Sequence, residues 1–205
     1  MRKFLFIAAI ALLGTLGLSA CQKGNQTEAA TQAKATRPTD ADVDAAIKDC
    51  QAKHPKASAP ATSGTSAAAA DASEEDDTCA RANISASTWQ AYMQELVTDN
   101  LGDITNAPYA YFVPSGKYPD NQGAISRVQD SLNGTVIATV LPGNMIAVGG
   151  PDSATTAQVL ETAFKQASPG SFKGVVVLFM GDKADEAAVK AAVDPSGATL
   201  KFAQL

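Results

Sequence analysis

Residues 57–78 limit how much of this 205-residue chain can fold. Of these 22 residues, eight are Ala, seven are Ser or Thr and five are acidic. A segment of this composition cannot bury enough apolar surface to offset the chain entropy that folding removes. The sequence therefore predicts a low-complexity linker here and a single globular domain after it, over residues 82–205.

The first residues have the layout of a secretory signal. Met1-Arg2-Lys3 is a short basic start, and the run from Phe4 to Gly17 that follows is mostly apolar. This run is shorter than the roughly 20 residues that a membrane-spanning helix needs. The pattern predicts a signal peptide over residues 1–20 that directs the chain out of the cytoplasm.

The four residues at the end of this segment, Leu18-Ser19-Ala20-Cys21, resemble the lipobox of bacterial lipoproteins. The resemblance covers only the first 21 residues. It implies cleavage before Cys21 and acylation of Cys21 by lipid chains such as palmitate. Gln22 stands where an aspartate would favour the inner membrane, so the resemblance implies an outer-membrane anchor facing the Gram-negative periplasm. The alternative is an ordinary signal peptide with an unrelated cysteine near the cut.

Two further cysteines flank the linker. Residues 21–38 are polar and predict a tether, and residues 39–81 predict a short helix over 39–53 followed by the linker. Cys50 lies on the apolar stripe of that helix, and Cys79 follows the linker. Because an exported chain meets an oxidising compartment, we expect Cys50 and Cys79 to form a disulfide that holds the helix to the domain.

The domain predicted over residues 82–205 alternates helices and strands. Its first helix is predicted over 86–101, with Ser87 as the N-cap and Trp89 on the apolar face. The spacing then predicts strands over residues 109–113, 135–141, 145–148, 175–180 and 199–205. It predicts helices between them over residues 120–132, 153–167 and 183–193.

This element order predicts an α/β (α+β) fold, a small sandwich of βαββαβ-αβ order. Its first six elements match the ferredoxin-like split β-α-β arrangement, and the added helix and strand would cover the edge strand at 175–180. The alternative is a flavodoxin-like parallel sheet. The choice depends on whether Pro142-Gly143-Asn144 is the turn of a hairpin between strands 135–141 and 145–148.

No motif in the sequence identifies a catalytic or metal site. Walker, Gly-x-Gly-x-x-Gly, His-Glu-x-x-His and Gly-x-Ser-x-Gly patterns are all missing, and the one histidine, His54, precedes the predicted domain. We therefore expect no catalytic residues, no metal and no cofactor, and we favour a non-enzyme. The alternative is a small envelope hydrolase that uses Ser115, Lys117 and Asp152.

Aromatic side chains cluster around the loop that contains Lys117. Tyr109, Tyr111 and Tyr118 lie close to it in sequence, and these four residues are a candidate contact surface, because interface centres are enriched in aromatic residues. Packing of the tyrosines in the core is the alternative reading of the same residues.

The net charge of the chain limits the classes of partner that it can bind. Loss of Arg2 and Lys3 with the signal leaves 14 basic against 21 acidic side chains, a net charge of −7. This charge disfavours nucleic acid and anionic headgroups as partners. We expect a bilayer contact through acylated Cys21 and a protein partner. The predicted function is a protein-binding, envelope-assembly or immunity-type module, with a structural spacer as a further alternative to the hydrolase.

Overall fold

The structure is a computed structural model that describes residues 34–55 and 78–205. Predictions for the signal peptide, for Cys21 and for most of the tether and linker lie outside the described residues. Lys34–Leu205 cluster as one compact unit. No helix in the described part of the chain is long and apolar enough to cross a membrane.

Four parallel strands form the centre of the fold. They are β1 (Tyr109–Phe112), β2 (Met145–Gly149), β3 (Val176–Gly181) and β4 (Thr199–Gln204), hydrogen-bonded in the order β1-β2-β3-β4. The predicted α/β class is confirmed, and the sheet is parallel as in the flavodoxin-like alternative. Strand order follows chain order, so this sheet contains no reversal at which α/β folds usually bind ligands.

Helices cover both faces of the sheet. The three that connect successive strands pack on one face, and two that precede the first strand pack on the other. In chain order the helices are α1 (Asp40–Lys53), α2 (Arg81–Asn100), α3 (Gln122–Ala138), α4 (Ser153–Phe164) and α5 (Lys183–Val193). Short 3-10 turns at Pro119–Asn121 and Asp194–Ser196 precede α3 and β4.

The predicted ferredoxin-like arrangement is wrong, because residues 135–141 do not form a strand. Helix α3 continues through the predicted break at Gly134 as far as Ala138. Val136 and Val140 are buried, whereas Ile137 and Leu141 are 65% and 75% exposed. In a strand Ala138 would share the buried face of Val136 and Val140, but it is exposed, as the last turn of a helix allows.

Pro142 and Gly143 do form a tight turn, but it joins the end of α3 to β2 instead of joining two strands. Gly143 has a φ of 81°, the left-handed conformation that glycine adopts without steric cost. Its N–H donates a hydrogen bond to the carbonyl of Gly174 at 2.7 Å. A helix followed by a turn returns the chain to the start of the next strand, so β1 and β2 are parallel.

The two central strands divide their side chains between two cores. Ile146, Val148, Val177 and Phe179 pack with α3, α4 and α5. Met145, Ala147, Leu178 and Met180 pack with α1 and α2. All eight side chains are buried, which explains the uninterrupted apolar sequence of β3.

The helix pair α1 and α2 is joined by the predicted disulfide, which is confirmed between Cys50 and Cys79. The chain-entropy model assigns about 3.6 kcal/mol to a loop of this length. Val43 of α1 and Trp89 of α2 are buried in the same core. The disulfide therefore reinforces an apolar contact between the two helices.

Different signals define the starts of these two helices. Thr39 and Asp42 form a capping box at α1, and the hydrogen bonds from the Thr39 side chain and backbone hold the pKa of Asp42 below its ordinary value. Helix α2 begins at Arg81, so the predicted cap at Ser87 is wrong. Ser87 is the seventh residue of the helix, and its hydroxyl donates a hydrogen bond to the carbonyl of Ile84 at 2.9 Å.

Helix α2 runs antiparallel to the strands. Near its start, the Arg81 guanidinium stacks 4.0 Å from the ring centroid of Tyr118, which lies beyond the carboxyl end of β1. At its end, the Asn100 carbonyl accepts a hydrogen bond at 2.8 Å from Lys201, near the start of β4. We call the sheet edge formed by the strand starts the amino edge, and the opposite one the carboxyl edge.

Replacing Gly134 by Ala distinguishes the helix from the hairpin. Gly134 lies in α3, and an added Cβ meets no atom within 4 Å. Gly134→Ala should therefore raise the free energy of unfolding by about 0.5–1 kcal/mol, because alanine has the higher helix propensity. Urea denaturation of the full chain measures the change. A loss of stability would indicate that the residue is part of a turn.

Candidate functional site

The loops at the carboxyl edge meet around the carboxylate of Asp152. This residue is the N-cap of α4, and its Oδ1 accepts from the Thr155 N–H at 3.3 Å. Its Oδ2 accepts from the Thr155 hydroxyl at 2.9 Å, the Gly116 N–H at 3.1 Å and the Ser115 hydroxyl at 3.4 Å. One carboxylate thus joins the loop after β1 to the start of α4.

The structure brings together two of the three residues considered for a hydrolase. Ser115 and Asp152 are in contact, but Ser115 is buried, and its Oγ also accepts from the Lys117 N–H at 3.3 Å. Lys117 itself is exposed, and it is the backbone of this residue that contacts the serine. The arrangement favours a structural role, since hydrogen bonds within the loop engage both the hydroxyl and the carboxylate.

A neighbouring contact ties the next pair of loops in the same way. The Ser153 hydroxyl donates to the Asp185 carboxylate and accepts from the Asp182 N–H at 2.7 Å. In the described ranges, no group of three or more His, Cys, Asp or Glu side chains has the arrangement of a metal site. The carboxyl edge is therefore a set of mutually braced loops.

The four predicted contact residues lie in different environments. Tyr109 is 46% exposed at the start of β1, and Lys117 is exposed on the loop beyond its end. Tyr111 is half-buried with its hydroxyl 2.6 Å from the Thr135 hydroxyl. Tyr118 is half-buried beneath Arg81. Internal contacts thus engage two of the tyrosines, and Tyr109 and Lys117 stay exposed at opposite ends of the strand.

An apolar groove of about 540 Å³ lies between α2 and β1. The α2 side is formed by Ala86, Gln90, Met93, Gln94, Val97, Thr98 and Leu101. The other side is formed by Pro108, Ala110, Tyr111 and Phe112. None of these side chains is charged, although α2 carries Glu95 and Asp99 elsewhere on its surface. The groove is therefore suited to apolar or uncharged groups.

Strand β1 borders this groove and is one of the two edge strands of the sheet. In the described part of the chain it pairs with β2 alone, so its outer backbone N–H and C=O groups face away from the sheet. Its sequence, Tyr109-Ala110-Tyr111-Phe112, contains no charge and no proline. The edge strand on the other side of the sheet, β4, contains Lys201. Charged residues and prolines usually protect edge strands from pairing with other chains. The four residues of β1 contain neither, and Pro108 and Pro114 flank them.

Comparisons with known proteins do not identify a relative of this chain. No family model, no curated protein and no solved structure matches the chain. The candidate site is therefore assessed from its own geometry.

Sequence reasoning identified β1 and its tyrosines but missed the α2 wall of the groove. The missed signal is a second helix face without charge, which includes Ala86, Gln90, Gln94, Val97 and Thr98. These residues are adjacent to the buried stripe that contains Trp89 and Met93. A core-facing stripe accounts for part of the helix surface, and an adjoining uncharged face indicates a further contact.

Removal of the Asp152 carboxylate tests its structural role. Asp152→Ala removes the N-cap of α4 and leaves the Gly116 N–H without its acceptor. We expect the free energy of unfolding to fall by about 1–3 kcal/mol. Lys117→Ala on the same loop is the control and should change stability by less than about 0.5 kcal/mol. Thermal and urea denaturation measure both, and an unchanged stability of the Asp152 variant would contradict the assignment.

Proposed function

We propose that this chain is an outer-membrane lipoprotein, acylated at Cys21, whose periplasmic domain binds an extended segment of a partner protein. The segment would add a strand to the open edge of β1 and place apolar side chains in the groove beside α2. The observation that carries the proposal is the juxtaposition of an uncharged edge strand with an uncharged apolar groove.

Once the proposed signal peptide is removed, the composition of the chain outside the described residues supports a separate partner. Residues 22–33 and 56–77 contain no Val, Ile, Leu, Met, Phe, Tyr or Trp. Neither segment supplies the large apolar side chains that an apolar groove would bury most favourably. A second copy of the chain also fits poorly, because symmetric pairing through β1 would oppose two concave grooves and leave both unfilled.

The disulfide is consistent with the proposed compartment. Cystine links persist in the periplasm and are rare in the cytosol of mesophilic bacteria. The Cys50–Cys79 link joins two helices that together cover one face of the sheet. An exported location would therefore stabilise the very helix that forms one wall of the groove.

Replacing Cys21 by Ser tests the lipid anchor. Cys21→Ser removes the thiol that would carry the acyl chain, so the protein should incorporate no palmitate and should leave the outer-membrane fraction or stay as uncleaved precursor. Gln22→Asp is the matched variant: it should keep its label and move to the inner membrane, as the lipobox resemblance implies. Unchanged outer-membrane fractionation of the Cys21 variant would refute the anchor.

Site-specific photocrosslinking tests the groove. Gln94 is exposed on the groove wall, and a photoreactive residue placed there in native envelopes should crosslink to an extended segment of one partner protein. Ala110→Arg places charge and bulk on the exposed β1 side of the groove and should abolish the adduct. Ala188→Arg, at an exposed position on α5, should leave it unchanged.

Mass spectrometry of the adduct identifies the crosslinked peptide. A partner segment with apolar residues at alternate positions supports strand addition. An adduct that survives Ala110→Arg, an adduct within the chain or to a second copy, or the lack of any adduct would each overturn the proposal. Circular dichroism of both arginine variants checks that the fold is retained.

A further inference from the structure

The exposed large apolar side chains of the described residues gather at the amino edge. They are Tyr109, Ile137 and Leu141, with 46%, 65% and 75% of their surfaces exposed. Tyr109 is the first residue of β1, Ile137 lies in the last turn of α3, and Leu141 belongs to the segment that leads into β2. Single exposed apolar residues are ordinary, but three at one edge form a candidate contact surface.

The surroundings of this edge are partly basic. The segment that contains Leu141 is fixed to its neighbour by the hydrogen bond from the Gly143 N–H to the Gly174 carbonyl. Exposed Lys173 precedes that glycine, and exposed Lys165 follows α4. Three acidic residues are exposed nearby: Asp194 is paired with Lys190, Asp99 lies in the last turn of α2, and Asp103 precedes β1.

The chain enters the folded unit near the same edge. Lys34 lies 3.7 Å from Glu95 and 3.8 Å from Asp99, and both acidic residues are in the last turns of α2, which ends at the amino edge. Twelve residues separate Lys34 from Cys21. A chain of that length spans at most about 45 Å when fully extended.

We propose that the amino edge docks on the phospholipid surface of the membrane that holds Cys21, with Ile137 and Leu141 inserted among the headgroups. The proposal rests on the proposed acylation of Cys21. The short connection confines the edge close to the bilayer, so a contact that is weak for a free protein becomes well populated through its high local concentration.

Docking in this orientation would direct the carboxyl edge away from the membrane. The groove runs along α2 and β1 from one edge to the other, and its α2 wall reaches Ala86, close to the carboxyl-edge end of that helix. The open edge of β1 would therefore remain accessible to a partner in the periplasm.

Fluorescence on vesicles tests the docked edge. The mature acylated protein is reconstituted in vesicles of phosphatidylethanolamine and phosphatidylglycerol, with a polarity-sensitive label on Ala138→Cys. Ala138 is exposed and adjoins Ile137, and Ala184→Cys at the carboxyl edge is the matched control. We expect a blue shift and quenching by lipid-attached quenchers at position 138, with neither at position 184.

A second variant tests the inserted side chains. Adding Ile137→Ser and Leu141→Ser to the Ala138→Cys protein should abolish the shift while the protein still floats with the vesicles. If the protein floats with the vesicles but the label at position 138 emits as it does in water, the docking proposal is overturned and the lipid anchor is not. A shift that follows protein density or needs added envelope proteins would assign the surface to a second copy or a protein partner, and would overturn docking as well. A protein that does not float lacks the anchor, and docking fails with it.

Discussion

Burial of β2 and β3 on both faces is the constraint on which the rest of the structure depends. Parallel strands need a crossover between each pair, and the crossover helices α3, α4 and α5 all lie on one face. The other face is covered by chain that precedes β1. Helices α1 and α2 supply that cover. Trp89 and Met93 of α2 share a core with three side chains of the sheet, Met145, Leu178 and Met180.

Two helices do not cover four strands completely. Helix α2 packs over β3 and β4, so the sheet face next to β1 stays open, and the groove is the space that results. The first strand is short and uncharged, and it is the strand with the least cover. Strand order makes β1 an edge strand, and the position of α2 leaves one face of β1 uncovered, so the groove and the outer edge of β1 lie on the same side of the sheet.

The sequence predicts the fold well where a pattern has one interpretation. The apolar run of β3, the helix of α5 and the turn before β4 lie where spacing and turn residues predict them. It fails at residues 135–141, where Val136 and Val140 fit both a helix and a strand with one face buried. Only packing against α4 and the sheet distinguishes the two, and residues distant in sequence determine that packing.

The candidate site was predictable only in part for the same reason. The clustering of aromatic residues around the Lys117 loop predicts Tyr109 and Tyr111 as candidate contact residues, but the groove beside them depends on which face of α2 the sheet leaves uncovered. Loop contacts such as Ser115 with Asp152 join residues 37 positions apart, and their hydrogen bonds define a structural role that residue types alone do not distinguish from a catalytic one.

The cystine has a topological consequence for the integrity of the protein. Because Cys50 and Cys79 are covalently linked, a single peptide-bond cut anywhere between them does not divide the molecule into two pieces. The part of the chain that carries α1 and everything before it would stay attached to the sheet. The acidic, alanine-rich segment can therefore be cleaved without separating α1 from the sheet, so long as the cystine is not reduced.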